Sequence, residues 1–367
     1  MVEKATIKNY REKAGLTLEE LGAILGVARQ TISSWEAGKT SPSLAEAARL
    51  ARALKVPIEL LLDEEVEQEV GLLFRADDPS TLTPELRSYL SKKSSQYREL
   101  EAILEETPAV PFSRPLEEVD AFVIRETADE LRSWLGVGDT APITEVYTLF
   151  ESRGLKVLEH ELPEDISGFS AYTDESGAVI VVNDRKEPER RYFTCIHELG
   201  HLIFHRKEYL PGAAAAVKKR KDAKEKAADK LAGMVMLPDK VVYGELHQFK
   251  NRWIPEPVLR DIKQRYCVSM LTVVLRAGDV GLLTPKECGM QFGYLNKHKT
   301  DLKDNNRLPQ PAGLRRLKRL TYKALLDGSI TTSFAKELLD SKLSEIAIEL
   351  KEWERQGEPE VDSAGRC

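Results

Sequence analysis

The residue pattern predicts a multidomain, mainly helical protein with a small β-sheet. Its expected parts are an all-α N-terminal domain of five helices, an α+β domain reached through a helical linker, and a helical C-terminal region. Three observations carry this. Apolar residues recur at helical spacing through both ends of the chain. Three short runs, LKVLEHEL, GFSAYT and AVIVVN, are β-branched or aromatic and separated by turn signals such as Glu175-Ser176-Gly177. A proline-punctuated stretch, TPAVPFSRPLEE, divides the N-terminal segments from the rest.

A chain of 367 residues has room for two or three domains. With 42% hydrophobic and 31% charged residues it can bury a core and stay soluble. A net charge of -6 excludes a uniformly basic nucleic-acid coat but not a small DNA-binding module. The opening MVEKATIKNYREK is charged, so no secretory signal is expected, and no apolar run approaches the roughly 18 residues of a membrane span. Cys195, Cys267, Cys288 and Cys367 are too scattered for a disulfide framework, which points to a reducing cytoplasm. Cys195 lies near the histidine-rich helix but on a different face, so packing is its expected role.

Residues 1–66 read as short helices with sharp stops. GLTLEELGAILGV opens with Thr17 as N-cap and Glu20 three positions on, a capping box, and Gly26 ends it. ARQTISSWEAGKTSPS supplies a second helix ended by Gly38, and SLAEAARLARALKV with PIELLL completes the bundle. Residues 67–117 form the expected helical linker, around ELRSYLSKKSSQYRELEAILEE. Residues 118–240 form the α+β domain: two helices, the three strands, the histidine-rich helix, a basic segment read as a solvated loop (KKRKDAKEK), and a helix ending MVMLP. Residues 241–357 are helical and residues 358–367 a disordered tail.

FTCIHELGHLIFHRK holds three of the six histidines. Side chains four apart stack on one helical face, so His197 and His201 can both offer a ring nitrogen to one ion. Glu198, one step round, can reach a water without ligating. This is the HExxH arrangement of two ligands and a general base. His205 lies a further turn along, and three ligands spread over two turns of one straight helix cannot close on a tetrahedral ion. The extended HExxHxxGxxH pattern also fails, since Phe204 and Lys207 occupy its last glycine and histidine. A third ligand must come from elsewhere. Glu208 and Asp222 fall in expected loop; Glu225 and Asp229, four apart, share a helix face, and spacing alone leaves the choice open.

RRYFTCIHELGHLIFH followed by EKAADKLAGMVMLP resembles the ImmA/IrrE metallopeptidases over about Val119 to Pro238. The resemblance implies a zincin-like, gluzincin-type fold in which Glu225 is the third ligand of Zn2+ (or Mn2+), Asp229 orients a ligating histidine, and Glu198 is the catalytic base. The chain departs from the family at Ala227, where a second glutamate is common, and at Leu231, where phenylalanine is usual. Neither position carries chemistry. AVIVVN could pair with an extended substrate by strand addition, and Tyr172 or Tyr192 could stabilise an oxyanion. CVSMLTVVLRAGDVGLL resembles the winged-helix-like tail appended to such domains.

LTLEELGAILGVARQTISSWEAGKTSPS resembles the helix-turn-helix of the Cro/repressor (XRE) family from about Ile7 to Leu62. The resemblance implies that the helix from Ala28 enters the major groove of an operator, with Arg29, Gln30, Thr31 and Ser34 facing base edges. Thr17, Lys39, Thr40 and Ser41 match positions that touch phosphate. Arg11 and Glu36 match a structural ion pair, and binding as a homodimer is implied. Together these features predict a cytoplasmic regulator that reads double-stranded DNA and cleaves a repressor, an antitoxin-like protein or its own linker. The alternative is a transcription regulator whose zinc domain is structural or ligand-sensing.

Overall fold

In the computed structural model the chain forms two compact units, Met1–Leu72 and Leu73–Cys367. The structure describes residues 6–40, 42, 46, 49, 50, 53, 54, 83–107, 111–116, 118–173, 177–209, 218–311, 313 and 315–356. Among them the protein is mostly helical with one three-stranded sheet. No described helix is long and apolar enough to cross a membrane.

The first unit contains α1 (Thr6–Lys13), α2 (Leu18–Leu25) and α3 (Arg29–Glu36). Thr17 caps α2, accepting from the Glu20 amide, while the Glu20 carboxylate accepts from the Thr17 amide. Gly26 ends α2 at φ 69°, a left-handed conformation that costs a glycine nothing. Leu21, Leu25, Ile32, Trp35, Leu50 and Leu54 form the core. Arg11 donates to Glu36 at 2.6 Å, so the expected ion pair ties α1 to α3. The last helices of the expected five fall largely outside the described residues.

The second unit begins with α4 (Pro84–Ile103), followed by α5 (Ala121–Leu135) and α6 (Val146–Ser152). Strands β1 (Lys156–His160), β2 (Gly168–Thr173) and β3 (Gly177–Asn183) then form a sheet of order β1-β3-β2. β3 runs parallel to β1 and antiparallel to β2, and every one of its residues is buried. A continuous apolar run suits such a two-sided position. It also corrects the expectation that AVIVVN could take a substrate strand, because both of its edges are already paired.

Helix α7 (Pro188–Phe204) lies on β2 and β3, and α8 (Lys218–Met236) packs along α7. Gly200 permits the close approach, since a Cβ there would sit 3.2 Å from Leu231 Cδ2 and 3.4 Å from Ala228 Cα. Gly168 is tighter still: its Cβ would meet Val181 O at 2.5 Å and Thr194 Cγ2 at 2.6 Å. Gly168→Ala should therefore cost about 1–3 kcal/mol by overpacking, read as a lower denaturation midpoint. KKRKDAKEK, expected as loop, is instead the first half of α8. Its Lys-Glu composition is as good for an exposed helix as for a loop.

Helices α9 (Asp239–Leu246), α10 (Glu256–Tyr266), α11 (Met270–Asp279) and α12 (Pro285–Lys297) follow. One hydrophobic core runs from Ile124 through Val241 and Val273 to Leu308, so packing continues across residue 240 without a break. Helices α13 (Arg316–Leu326), α14 (Thr332–Leu339) and α15 (Leu343–Gln356) have a smaller core around Tyr322, Ala335 and Ile346.

The expected linker contains a packed element. Leu90, Tyr97, Leu100 and Glu101 of α4 are buried, and α4 packs on α13 and α14. Lys156 from β1 donates to Glu101 at 2.9 Å and Arg316 from α13 donates to its other oxygen at 2.5 Å. That removes residues 84–103 from any extended, readily cleaved stretch.

Candidate metal centre

The site is built where α7 faces α8. His197 and His201 stand one turn apart on α7, with their Nε2 atoms 3.0 Å apart. From α8, Glu225 brings Oε2 to 3.3 Å from His197 Nε2 and Oε1 to 3.4 Å from His201 Nε2. Among the described residues this is the His/Cys/Asp/Glu group whose ligand atoms all lie within 4.8 Å of one another. Four-coordinate zinc, with bonds of about 2.0–2.2 Å, spaces its donors about 3.3 Å apart, so the observed separations and the nitrogen-nitrogen-oxygen donor set fit that ion. Glu208, expected in loop, lies in a 3-10 turn (Arg206–Tyr209), and Asp222, also expected in loop, lies in the first turns of α8.

Each imidazole is held from behind. His197 Nδ1 lies 2.9 Å from Asp229 Oδ1, and His201 Nδ1 lies 3.0 Å from His205 Nδ1. A ring that ligates through Nε2 carries its proton on Nδ1, so His205 Nδ1 must accept and its own proton sits on Nε2. His205 Nε2 is buried with no partner among the described residues. His205 is thus a buried neighbour of the cluster and not a surface residue.

The electrostatics agree with this division. Burial opposes a charge on His197, but hydrogen bonds to Asp229 and Glu225 outweigh it and carry the imidazole up to about 10. Burial also opposes a charge on Glu225, yet the two histidines hold its carboxyl far below the usual range. Burial, with His201 and Lys224 adding, pushes His205 down to about 3. A base depressed in the fold stabilises above its ordinary 6.5, and that contribution is lost as pH falls toward 3. His205→Gln should therefore flatten the acid limb of the stability profile between those values. The same change, and Asp229→Ala, should each weaken zinc binding about 10–100-fold in chelator competition.

Glu198 is buried at 2% exposure and accepts from Ser170 Oγ at 2.7 Å; Ser170 Oγ lies 2.8 Å from Tyr209 Oη. Sequence reasoning missed Ser170 and Tyr209, and nothing near either in the chain signals the contact. The two tyrosines expected near an oxyanion are both buried. Tyr172 packs under the Arg206 guanidinium and Tyr192 sits edge-on to Tyr147, both in the core. Cys195 is fully buried, as its packing role requires.

In the first unit, Arg29 and Gln30 are exposed on α3, while Thr31 and Ser34 are half-buried. Arg29 pairs with Glu19 at 2.8 Å, a partner not foreseen from the sequence. Thr17 is occupied as the α2 cap, Lys39 and Thr40 are exposed, and Ser41 lies outside the described residues.

Comparison with known proteins matches both units. A family model described as Helix-turn-helix covers residues 7–61, and one described as IrrE N-terminal-like domain, of the M78 peptidases, covers residues 150–277. An uncharacterized HTH-type transcriptional regulator of Methanothermobacter thermautotrophicus is 51% identical over 51 residues, 14% of this chain and 74% of its own. The HTH-type transcriptional regulator SinR of Bacillus subtilis is 34% identical over 94 residues, 25% of this chain and 83% of its own. A solved Mycobacterium tuberculosis transcriptional regulator aligns over 51% of each chain at 15% identity and TM-score 0.32, so that the chain spans about half of that protein. By its N-terminal domain the chain belongs to the helix-turn-helix transcriptional regulators, and it joins that domain to an IrrE-like domain of the M78 peptidase family.

Proposed function

We propose that the protein is a DNA-binding regulator fused to a zinc-dependent endopeptidase of HExxH, gluzincin type, which cuts a repressor or antitoxin-like protein to control a local operon. The convergence of His197, His201 and Glu225 beside the buried carboxylate of Glu198 carries this reading. His197, His201 and Glu225 hold the ion, Zn2+ or Mn2+, and Asp229 orients His197. When bound, the ion supplies Lewis acidity and acidifies water. Glu198 takes the proton of the attacking water and delivers it to the leaving amine. The buried apolar flanks of α7 keep bulk water from the carboxylate.

We propose the division 1–66, 67–117, 118–240, 241–357 and 358–367 for reader, helical connector, peptidase, helical regulatory region and tail. Arg29, Gln30, Thr31 and Ser34 read bases while Thr17, Lys39, Thr40 and Ser41 touch phosphate of a double-stranded operator, bound by a homodimer in the cytoplasm. Arg29 would leave Glu19 to do so.

The test is Glu198→Gln in the full-length protein, incubated with zinc and with the products of neighbouring genes. The wild type should remove one of them in a chelator-sensitive manner. The variant should lose about 10²–10⁴-fold in rate while keeping zinc and DNA binding. A second reading, a non-proteolytic regulator with a structural or sensing zinc domain, is favoured by relatives named only as regulators. It prevails if wild type and variant regulate identically.

A further inference from the structure

Glu198 is gripped by a two-step hydrogen-bond chain that the bare HExxH arrangement does not require. Ser170 Oγ lies 2.7 Å from Glu198 Oε2 and 3.5 Å from the Glu198 carbonyl, so its tight contact is with the carboxylate and not with the helix backbone. A serine hydroxyl carries one proton, and an ionised carboxylate only accepts. Ser170 therefore donates to Glu198, and Tyr209 Oη, 2.8 Å from the same oxygen, donates to Ser170. The chain has one direction, from phenol to hydroxyl to carboxylate.

Its members come from three elements. Ser170 sits on β2 with no exposure, between buried Phe169 and Ala171. Tyr209, 5% exposed, ends the turn that follows α7. A glutamate has three side-chain torsions, and a base misplaced by about 1 Å can lose about a hundredfold in rate. Hydrogen bonds to a charged group are the stronger kind and restrict those torsions.

We propose that Ser170 and Tyr209 are positioning residues that fix the Glu198 carboxylate for proton transfer. The proposal rests on the peptidase reading of the same site. A buried serine that merely ties β2 to α7 would affect stability but would not depend on the chemistry at residue 198.

The experiment uses full-length protein loaded with cobalt(II) and titrated with acetohydroxamic acid, which gives up a proton to a neighbouring base as it chelates. Cobalt absorption bands report uptake and chelation separately from turnover. Ser170→Ala should leave cobalt affinity within about twofold and weaken acetohydroxamate about tenfold, with Ser170→Thr restoring most of the loss. Tyr209→Phe should show a smaller loss of the same kind. In a Glu198→Gln background the Ser170→Ala effect should vanish, the non-additivity of coupled residues.

Equal losses with and without Glu198, or no loss in either variant while the wild type binds both probes, overturn the positioning role and leave the metal centre standing. A wild-type protein that takes up no cobalt overturns both.

Discussion

Glu225→Ala should weaken zinc binding on the order of a thousandfold, beyond the 10–100-fold typical of residues that only support a ligand. Glu225 is the one member of the cluster that α7 does not supply, and its two oxygens reach both histidines at 3.3 and 3.4 Å. Without it, two imidazoles on one helix face remain, too few for a tight site. Chelator competition measures the loss, and an affinity within tenfold of wild type would remove Glu225 from the ligand set.

The proton balance gives an independent check on the same variant. Without metal, His197 is raised to about 10 by its carboxylate partners against the opposing effect of burial, so it is protonated at neutral pH. A group raised in the fold stabilises fully below its ordinary 6.5, and the contribution is lost as pH climbs through about 10. Zinc uptake near pH 7.5 should therefore release close to one proton from His197, seen as a buffer-dependent heat of binding. Glu225→Ala, which removes one of the two hydrogen bonds that raise His197, should release less.

Glu101→Ala should destabilise the second unit by about 3–5 kcal/mol, because it leaves buried cations without their partner. Lys156 is 0% and Arg316 4% exposed, and both donate to Glu101. Burial holds the Lys156 ammonium below its usual value while Glu101 opposes the shift, so the variant lysine can shed its proton. Arg316 cannot, and among the described residues it keeps Tyr97 and Glu106. For a unit of this size the midpoint should fall by about 5–8 °C in a thermal melt. A fall of under about 2 °C would mean that the triad contributes little.

Much of the candidate site was legible because its spacing is local. His197, Glu198 and His201 share one α-helix, where residues four apart meet whatever the fold. The Thr17 capping box and the Gly26 stop were legible for the same reason, each closing within one helical turn. KKRKDAKEK was misread because charge alternation reports exposure and not backbone state. AVIVVN was read as a strand, but its central place is a matter of two partner strands, whose paired residues lie 6 to 23 positions away in sequence.

By itself the sequence determined that His197, Glu198 and His201 share one helix, where α2 starts and stops, and the helix-turn-helix signature at the N-terminus, since each depends on contacts within a turn or two of helix. Only the tertiary structure brought Glu225 to the two histidines, buried His205 behind His201, and set Ser170 against Glu198 with Tyr209 behind it. The contacts of Glu225 and Ser170 span 24 to 39 residues, and the packing of α7 between the sheet and α8 decides them. No periodicity in the chain encodes which side chains two packed elements will bring face to face.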